Sequence, residues 1–285
     1  MKAGMIGLGA MGTPMARNLA KAGVLTAVYN RTEEKAHRLA QELAVCCAPS
    51  PEVLAQSVDV VFLCVSKDAV VLSLVDAICP VLKAGSIVVD MSTVGCETAQ
   101  RAAVLLAEQG VGFLDAPVSG GVEGAKNGIL SIMVGGEEKH LVCVEPLLAA
   151  MGDRIIHMGP AGAGQATKAV NQVMAAGINQ AVTAALALGA VQGLPMAQVV
   201  DVVSGGAAGN WFLAHRGKTM LQGVYEPGFK LALHHKDLKI CQGMAKAQGL
   251  SIDFLDQTLT DYQQLMTEGY GDEDISALYR LKRPD

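Results

Sequence analysis

Up to about residue 160 the chain alternates short apolar runs with stretches of helical periodicity. The runs "KAGMIGL", "LTAVYN", "AVCCA", "DVVFLCV", "SIVVDMS", "VGFLDAPV", "LSIMVGG" and "RIIHMG" predict strands, and the stretches between them predict helices. Strands this continuously apolar, separated by helices, belong to a mostly parallel sheet covered on both faces. After "GPAGAG", residues 159–164, the alternation stops and every later segment reads as helix. A long helix is predicted from about Gln165 to Gln192, followed by helices at "QVVDVVSG", "HHKDLKICQGMAKAQG" and "DFLDQTLTDYQQLMTEG". The expected architecture is α/β: a doubly wound parallel sheet over residues 1–162 and an all-α domain over 163–285, joined by the long helix.

The first strand runs into Gly7-Leu8-Gly9-Ala10-Met11-Gly12, the spacing GxGxxG, and a helix follows at once. In such a turn Gly7 permits the bend, Gly9 lets the backbone approach a pyrophosphate, and Gly12 lets helix and strand pack closely. Strand before and helix plus strand after make this a Rossmann dinucleotide site, with the phosphates at a helix N-terminus. About 20 residues past the glycines such chains carry an acid that accepts from the ribose 2′-hydroxyl of NAD. That place holds Asn30, followed by Arg31 and Thr32. Loss of the carboxylate and gain of a guanidinium point to NADP, whose 2′-phosphate an acid would repel. A solvated arginine at a strand end is the plain alternative. The ends of the fourth and fifth strands, "CVSKD" and "MSTVG", fall on the carboxyl edge of the sheet, which makes Val65, Ser66 and Thr93 candidates to touch the cofactor.

Composition narrows the class. A chain of 285 residues accommodates two ordinary domains, and its abundant aliphatic but scarce aromatic residues suit close helix packing and a subunit interface, so a homodimer or homotetramer is expected. The net charge of -5, with Lys and Arg scattered, disfavours a nucleic-acid partner. A strand directly after Met1 leads to the expectation of a cytoplasmic protein. Seven cysteines without a CxxC spacing read as reduced, mostly buried thiols rather than a disulfide framework or zinc site. In "KAVNQVMAAGINQAVTAALALGAVQG" the pairs Asn171-Gln172 and Asn179-Gln180 interrupt the apolar run short of the roughly 20 residues a bilayer needs, so it reads as a helix buried in protein and no membrane partner is expected.

Two segments carry candidate chemistry. In "DAPVSGG", residues 115–121, Pro117 cannot donate to a ladder, and Gly120-Gly121 can turn backbone N–H groups toward one point beside the Ser119 hydroxyl, an anion nest suited to a carboxylate. Taken alone, Ser-Gly-Gly is an ordinary turn. In "GPAGAGQATKAVNQ" the helix shows Lys168, Asn171 and Gln172 at i, i+3 and i+4, on one face. An ammonium opposite a nicotinamide would stabilise the alkoxide formed as hydride reaches a carbonyl carbon and then protonate it, with Asn171 orienting the lysine or the substrate hydroxyl. On spacing alone Lys236 and Asp237 read as a surface charge pair, Trp211 and Phe229 as core, and His234 and His235 show no metal-site pattern.

"GLGAMG", "DAPVSGG", "GxGxxxKxxN" and "KDL", in this order and at these intervals, resemble the β-hydroxyacid dehydrogenases across nearly the whole chain. The resemblance implies that Lys168 is the proton donor and acceptor, supported by Asn171, and that Ser119, Gly120 and Gly121 hold the substrate carboxylate. It further implies that Thr93 lies near nicotinamide and substrate, that Phe229, Lys236 and Asp237 close over the cofactor, and that "NRT" matches the NADP-preferring members. The implied activity interconverts a small carboxylate-bearing aldehyde or oxo acid and its hydroxy acid. Methylmalonate, tartronate and succinic semialdehydes and glyoxylate all fit these motifs, and volume around Trp211 and Phe229 would choose among them. Gln172 departs from the second Asn of many relatives, which leaves its role open. Lys168 argues against the related imine reductases, and the short helical domain against 6-phosphogluconate dehydrogenases. The rival from another class is an NADP-binding regulatory protein without catalysis.

Overall fold

The apolar runs form a nine-stranded sheet in the computed structural model, which describes residues 1–284. The strands are β1 (Ala3–Ile6), β2 (Leu25–Tyr29), β3 (Cys46–Cys47), β4 (Val60–Leu63), β5 (Ile87–Asp90), β6 (Gly112–Asp115), β7 (Val118–Ser119), β8 (Leu130–Gly136) and β9 (Gly152–Gly159). Their order is β3-β2-β1-β4-β5-β6-β8-β7, with β9 paired to β8. From β3 to β6 every pairing is parallel. The helices of this part are α1 (Gly12–Lys21), α2 (Glu33–Leu43), α3 (Pro51–Ser57), α4 (Asp68–Ile78), α5 (Cys96–Ala107), α6 (Gly121–Asn127) and α7 (Glu138–Leu148).

Alternate residues of the central strands feed opposite faces, as the two-residue strand period requires. Val60 and Phe62 pack in one core with Met15 and Leu19 of α1 and Leu39 of α2. Val61 and Leu63 pack in the other with Leu54 of α3, Val75 of α4 and Leu106 of α5. Both faces are thus covered, the doubly wound arrangement expected.

Two details of the sheet differ from expectation. The run "VGFLDAPV" is two strands rather than one, because Pro117 has no N–H and the ladder breaks there while its carbonyl still accepts from Met133 N. Beyond the break, β8 runs antiparallel to both β6 and β7, and parallel pairing resumes between β8 and β9.

The chain divides into two compact units after Lys168, inside helix α8 (Ala163–Val191), whereas the sequence suggested a division at 162/163. The second unit continues with α9 (Met196–Ser204), α10 (Trp211–Leu221), α11 (Leu231–Ala247), α12 (Asp253–Thr267) and a terminal 3-10 segment, Ile275–Leu281. Its core gathers Val182 and Leu186 of α8, Phe212 and Leu213 of α10, Leu238 of α11 and Tyr262 of α12. Asn179 and Gln180 are not breaks in α8. Asn179 donates to Tyr262 Oη (2.9 Å) and Ile275 O (2.8 Å), and Gln180 donates to Asp261 Oδ2 (2.8 Å), so the polar groups anchor the helix to α12 and its neighbour.

Three sequence readings are corrected here. By length and composition α8 qualifies as a candidate membrane span, and it is not wholly buried: Val170, Met174, Leu188 and Val191 are exposed along it. Trp211 is no core residue; as the first residue of α10 it is 62% exposed. The cysteines are not mostly buried, since Cys46 is exposed on a two-residue edge strand, Cys143 is exposed on α7, and among the described residues Cys241 alone of the seven is buried.

Candidate active site

In the first unit the Gly-rich turn leaves β1 through Gly7, whose φ of +97° favours glycine. Gly7 N donates to Tyr29 O at 3.0 Å, and a Cβ on Gly12 would collide with the Gly7 carbonyl, so the start of α1 lies directly on the turn. Asn30 completes the clamp. Its Oδ1 accepts from Leu8 N (3.0 Å) and its Nδ2 donates to Thr32 O (3.1 Å), so the residue in the acidic position braces the loop. Gly9 and Ala10 are exposed, a Cβ at Gly9 would meet nothing within 4 Å, and Met11, the N-cap of α1, makes no side-chain cap bond. An open glycine before uncapped helix N–H groups fits a dinucleotide pyrophosphate. Arg31 and Thr32 are exposed beside it. A cavity of about 190 Å³ adjoins the turn, lined by Leu8, Thr13, Arg17, Lys35, Arg38 and Glu42. Lys35 and Arg38, on the outer face of α2, were not singled out in the sequence; their spacing from Arg31 was the available signal.

The ends of β4 and β5 are tied together. Val65 N donates to Ser92 Oγ at 2.9 Å, Ser66 is exposed just beyond, and Thr93 is half-buried. Asp90 and Asp115 are register partners on β5 and β6, both buried. Burial, with a smaller push from the Asp115 charge, raises the Asp90 carboxyl to about 6, against hydrogen bonds from Ser92 that lower it. Asp90 Oδ1 accepts from Ser92 N, and Oδ2 has no hydrogen-bond partner among the described residues. Burial raises Asp115 as well, offset by backbone N–H groups: Gly162 N donates to Oδ1 at 2.8 Å and Gln165 N to Oδ2 at 2.9 Å. Asp115 thereby caps the first turn of α8 from the sheet.

At the same edge Ser119 ends β7, and Gly120 and Gly121 follow with φ of +128° and +62°, starting α6. Lys168, 8% exposed, donates from Nζ to Val118 O at 2.9 Å. The first unit therefore brings the lysine and the Ser-Gly-Gly turn together.

The second unit begins at Ala169 and carries Asn171 and Gln172, farther along α8. Asn171 Nδ2 donates to Gln172 Oε1 (2.8 Å), Gln172 Nε2 donates to Asp237 Oδ2 (2.6 Å), and Lys236 Nζ pairs with Asp237 Oδ1 (2.8 Å). Gln172 is thus the link between α8 and α11. Lys236 and Asp237 are not a surface pair, because packing of α11 leaves Asp237 4% exposed. Phe229 is half-buried, its N–H donating to Asp274 Oδ2 (3.0 Å) and its ring tilted against His234 at 5.2 Å. Trp211 stacks on His215 at 4.3 Å with the Arg216 guanidinium 5.5 Å from its ring.

Two families match consecutive stretches of the chain that meet near residue 160. Residues 2–159 match the NAD binding domain of 6-phosphogluconate dehydrogenase, and residues 162–282 match the family described as NAD-binding of NADP-dependent 3-hydroxyisobutyrate dehydrogenase. The 2-hydroxy-3-oxopropionate reductase of Escherichia coli is 38% identical over 258 residues, covering 88% of this chain and 87% of the reductase. The chain belongs to the β-hydroxyacid dehydrogenase family. A 2-(hydroxymethyl)glutarate dehydrogenase from Eubacterium barkeri is 34% identical to this dehydrogenase, covering 99% of it and 94% of the relative. A Mycobacterium tuberculosis 3-hydroxyisobutyrate dehydrogenase solved with L-serine superposes with a TM-score of 0.90 at 30% identity, covering 99% of each chain. The dehydrogenase is therefore an NAD(P)-dependent oxidoreductase of hydroxy acids, with a nucleotide-binding first unit.

Proposed function

We propose that this dehydrogenase uses NADP and reduces a small semialdehyde or oxo acid, of the methylmalonate or tartronate semialdehyde type, to its hydroxy acid. The observation that carries the reading is the Lys168 Nζ to Val118 O hydrogen bond, 2.9 Å, one residue before Ser119-Gly120-Gly121. It supports a proton donor beside an anion cradle, which suits a carbonyl separated from a carboxylate by one or two bonds. Ser119 and the N–H groups of Gly120 and Gly121 hold the carboxylate, and the Lys168 ammonium faces the carbonyl oxygen. A nicotinamide cofactor held by the Gly7–Gly12 turn would supply the hydride that reduces the carbonyl carbon. Lys168 stabilises the developing negative charge on that oxygen and gives it a proton.

The exposed Arg31 and the neighbouring Lys35 and Arg38 support NADP over NAD, because a cationic cavity favours a 2′-phosphate. The linkage Asn171–Gln172–Asp237–Lys236 supports a bracing role for these four residues. Thr93, Val65, Ser66 and Phe229 belong to the cofactor side of the reading and Trp211 to the substrate side. Seven cysteines without a CxxC spacing support a reducing, cytoplasmic location, and the apolar stripe Val170, Met174, Leu188 and Val191 supports a homodimer or homotetramer.

The test is NADPH consumption with methylmalonate semialdehyde, tartronate semialdehyde, glyoxylate and succinic semialdehyde, each against its methyl ester. The acids are expected to turn over and the esters to lose roughly ten- to a hundredfold in kcat/KM, the effect of losing a charge-assisted partner. Equal turnover of acid and ester would remove the cradle from the account.

A further inference from the structure

Gln165 is 1% exposed, three positions before Lys168 on α8, and nothing in the reaction above uses it. Its carboxamide brackets Thr93: Nε2 donates to Ser92 O at 2.8 Å and Oε1 accepts from Val94 N at 3.2 Å. Since Ser92 O only accepts and Val94 N only donates, a single orientation of the amide satisfies both. Its own backbone N–H is held by Asp115 Oδ2. One helical turn later Lys168 reaches Val118 O. The first turns of α8 are therefore fastened to three strand ends: to the turn after β5 by Gln165, to β6 by Asp115, and to β7 by Lys168 itself.

A glutamine buried in a helix costs free energy unless both ends of its amide are paired, whereas leucine would fill the same space among alanines without that requirement. What the amide adds is register. Two backbone hydrogen bonds fix how far along its axis α8 stands relative to residues 92–94, and hence how far Lys168 stands from Thr93. We propose that Gln165 is a positioning residue for hydroxyacid oxidoreduction, setting the placement of the Lys168 ammonium against the turn that carries Thr93. The proposal rests on Lys168 as proton donor. A misplacement of about 1 Å at the reacting centre is enough to lose roughly a hundredfold in rate.

The experiment is a double-mutant cycle with Gln165→Leu and Lys168→Ala, reading kcat, KM for the oxo acid, and NADPH affinity by cofactor fluorescence. Gln165→Leu is expected to lower kcat by about ten- to a hundredfold while NADPH affinity stays within about twofold. The double variant is expected to be no slower than Lys168→Ala alone, because a residue acting through Lys168 has nothing left to position. Gln165→Met, which keeps the length of the side chain without either hydrogen bond, should show a similar kcat loss and serves if the leucine variant does not fold. An unchanged kcat in both Gln165 variants, or losses that multiply in the double variant, would overturn the proposal. Lys168→Ala alone reports on the parent reading: normal kcat there refutes the lysine mechanism and this positioning role with it, whereas a Gln165 failure beside a slow Lys168→Ala leaves the mechanism standing.

Discussion

Replacing Asp90 by Asn removes a buried charge while keeping the acceptor that Ser92 N uses, 3.0 Å away. In the folded chain burial lifts this carboxyl from an ordinary value of 3.8 to about 6. Between those values the unfolded chain gives up the proton while the folded chain keeps it, so folding stability falls as pH rises from about 4 to about 6 and stays lower above. The shift of about two units corresponds to about 3 kcal/mol at 1.36 kcal/mol per unit. An asparagine does not titrate. Any fixed penalty of its amide, which finds no partner where Oδ2 has none, is the same at every pH. At pH 4 the unfolded carboxyl is already more than half ionised, so the stability difference between Asp90→Asn and the parent should shift in favour of the variant by about 2 kcal/mol between pH 4 and pH 7.5, whatever its starting value. Urea unfolding followed by far-UV circular dichroism at several pH values measures it. A difference independent of pH across that range would show that the Asp90 carboxyl ionises as it does in water and would refute the reasoning.

The remaining predictions concern the cofactor and assembly. Arg31→Ala should raise KM for NADPH much more than for NADH, since a guanidinium serves the 2′-phosphate alone; equal weakening of both, or equal use of both by the parent, would return Arg31 to the role of a solvated side chain. Met174→Asp, on the exposed stripe of α8, should shift the protein to a smaller species in analytical ultracentrifugation, and an unchanged sedimentation coefficient would move the interface elsewhere.

Much of the fold was legible because burial on both faces writes itself into sequence as continuous apolar runs: "DVVFLCV" and "SIVVDMS" admit little other than central strands, and both are. Helix α10 fell under the reading of every later segment as helix but was not delimited, although Asn210 caps it by accepting from Leu213 N, because glycines and alanines precede it and its apolar residues make no clear stripe. The antiparallel β8 was hidden for a different reason: pairing direction beyond Pro117 depends on tertiary closure. At the candidate site, Gly7, Gly9 and Gly12 and Lys168 stood out because the chemistry proposed for them needs those residue types at fixed spacing. Gln165, Asp90 and the link through Gln172 did not, since what a buried amide or carboxyl does is decided by partners 65 to 73 positions away or on a neighbouring strand. Trp211 misled, as a large aromatic can cap a helix start in solvent by stacking on the residue one turn on.

The central claim is that Lys168 supplies the proton. Lys168→Ala, followed in single turnover with NADPH bound and the best oxo acid of the panel saturating, measures it most directly, because product release then drops out of the rate. The expected result is a fall of about 10²- to 10⁴-fold with NADPH affinity retained, and little rescue by Lys168→Arg, whose guanidinium does not exchange protons in this range. A near-normal single-turnover rate in Lys168→Ala would contradict it and assign the proton to water or another group, while leaving the nucleotide site intact.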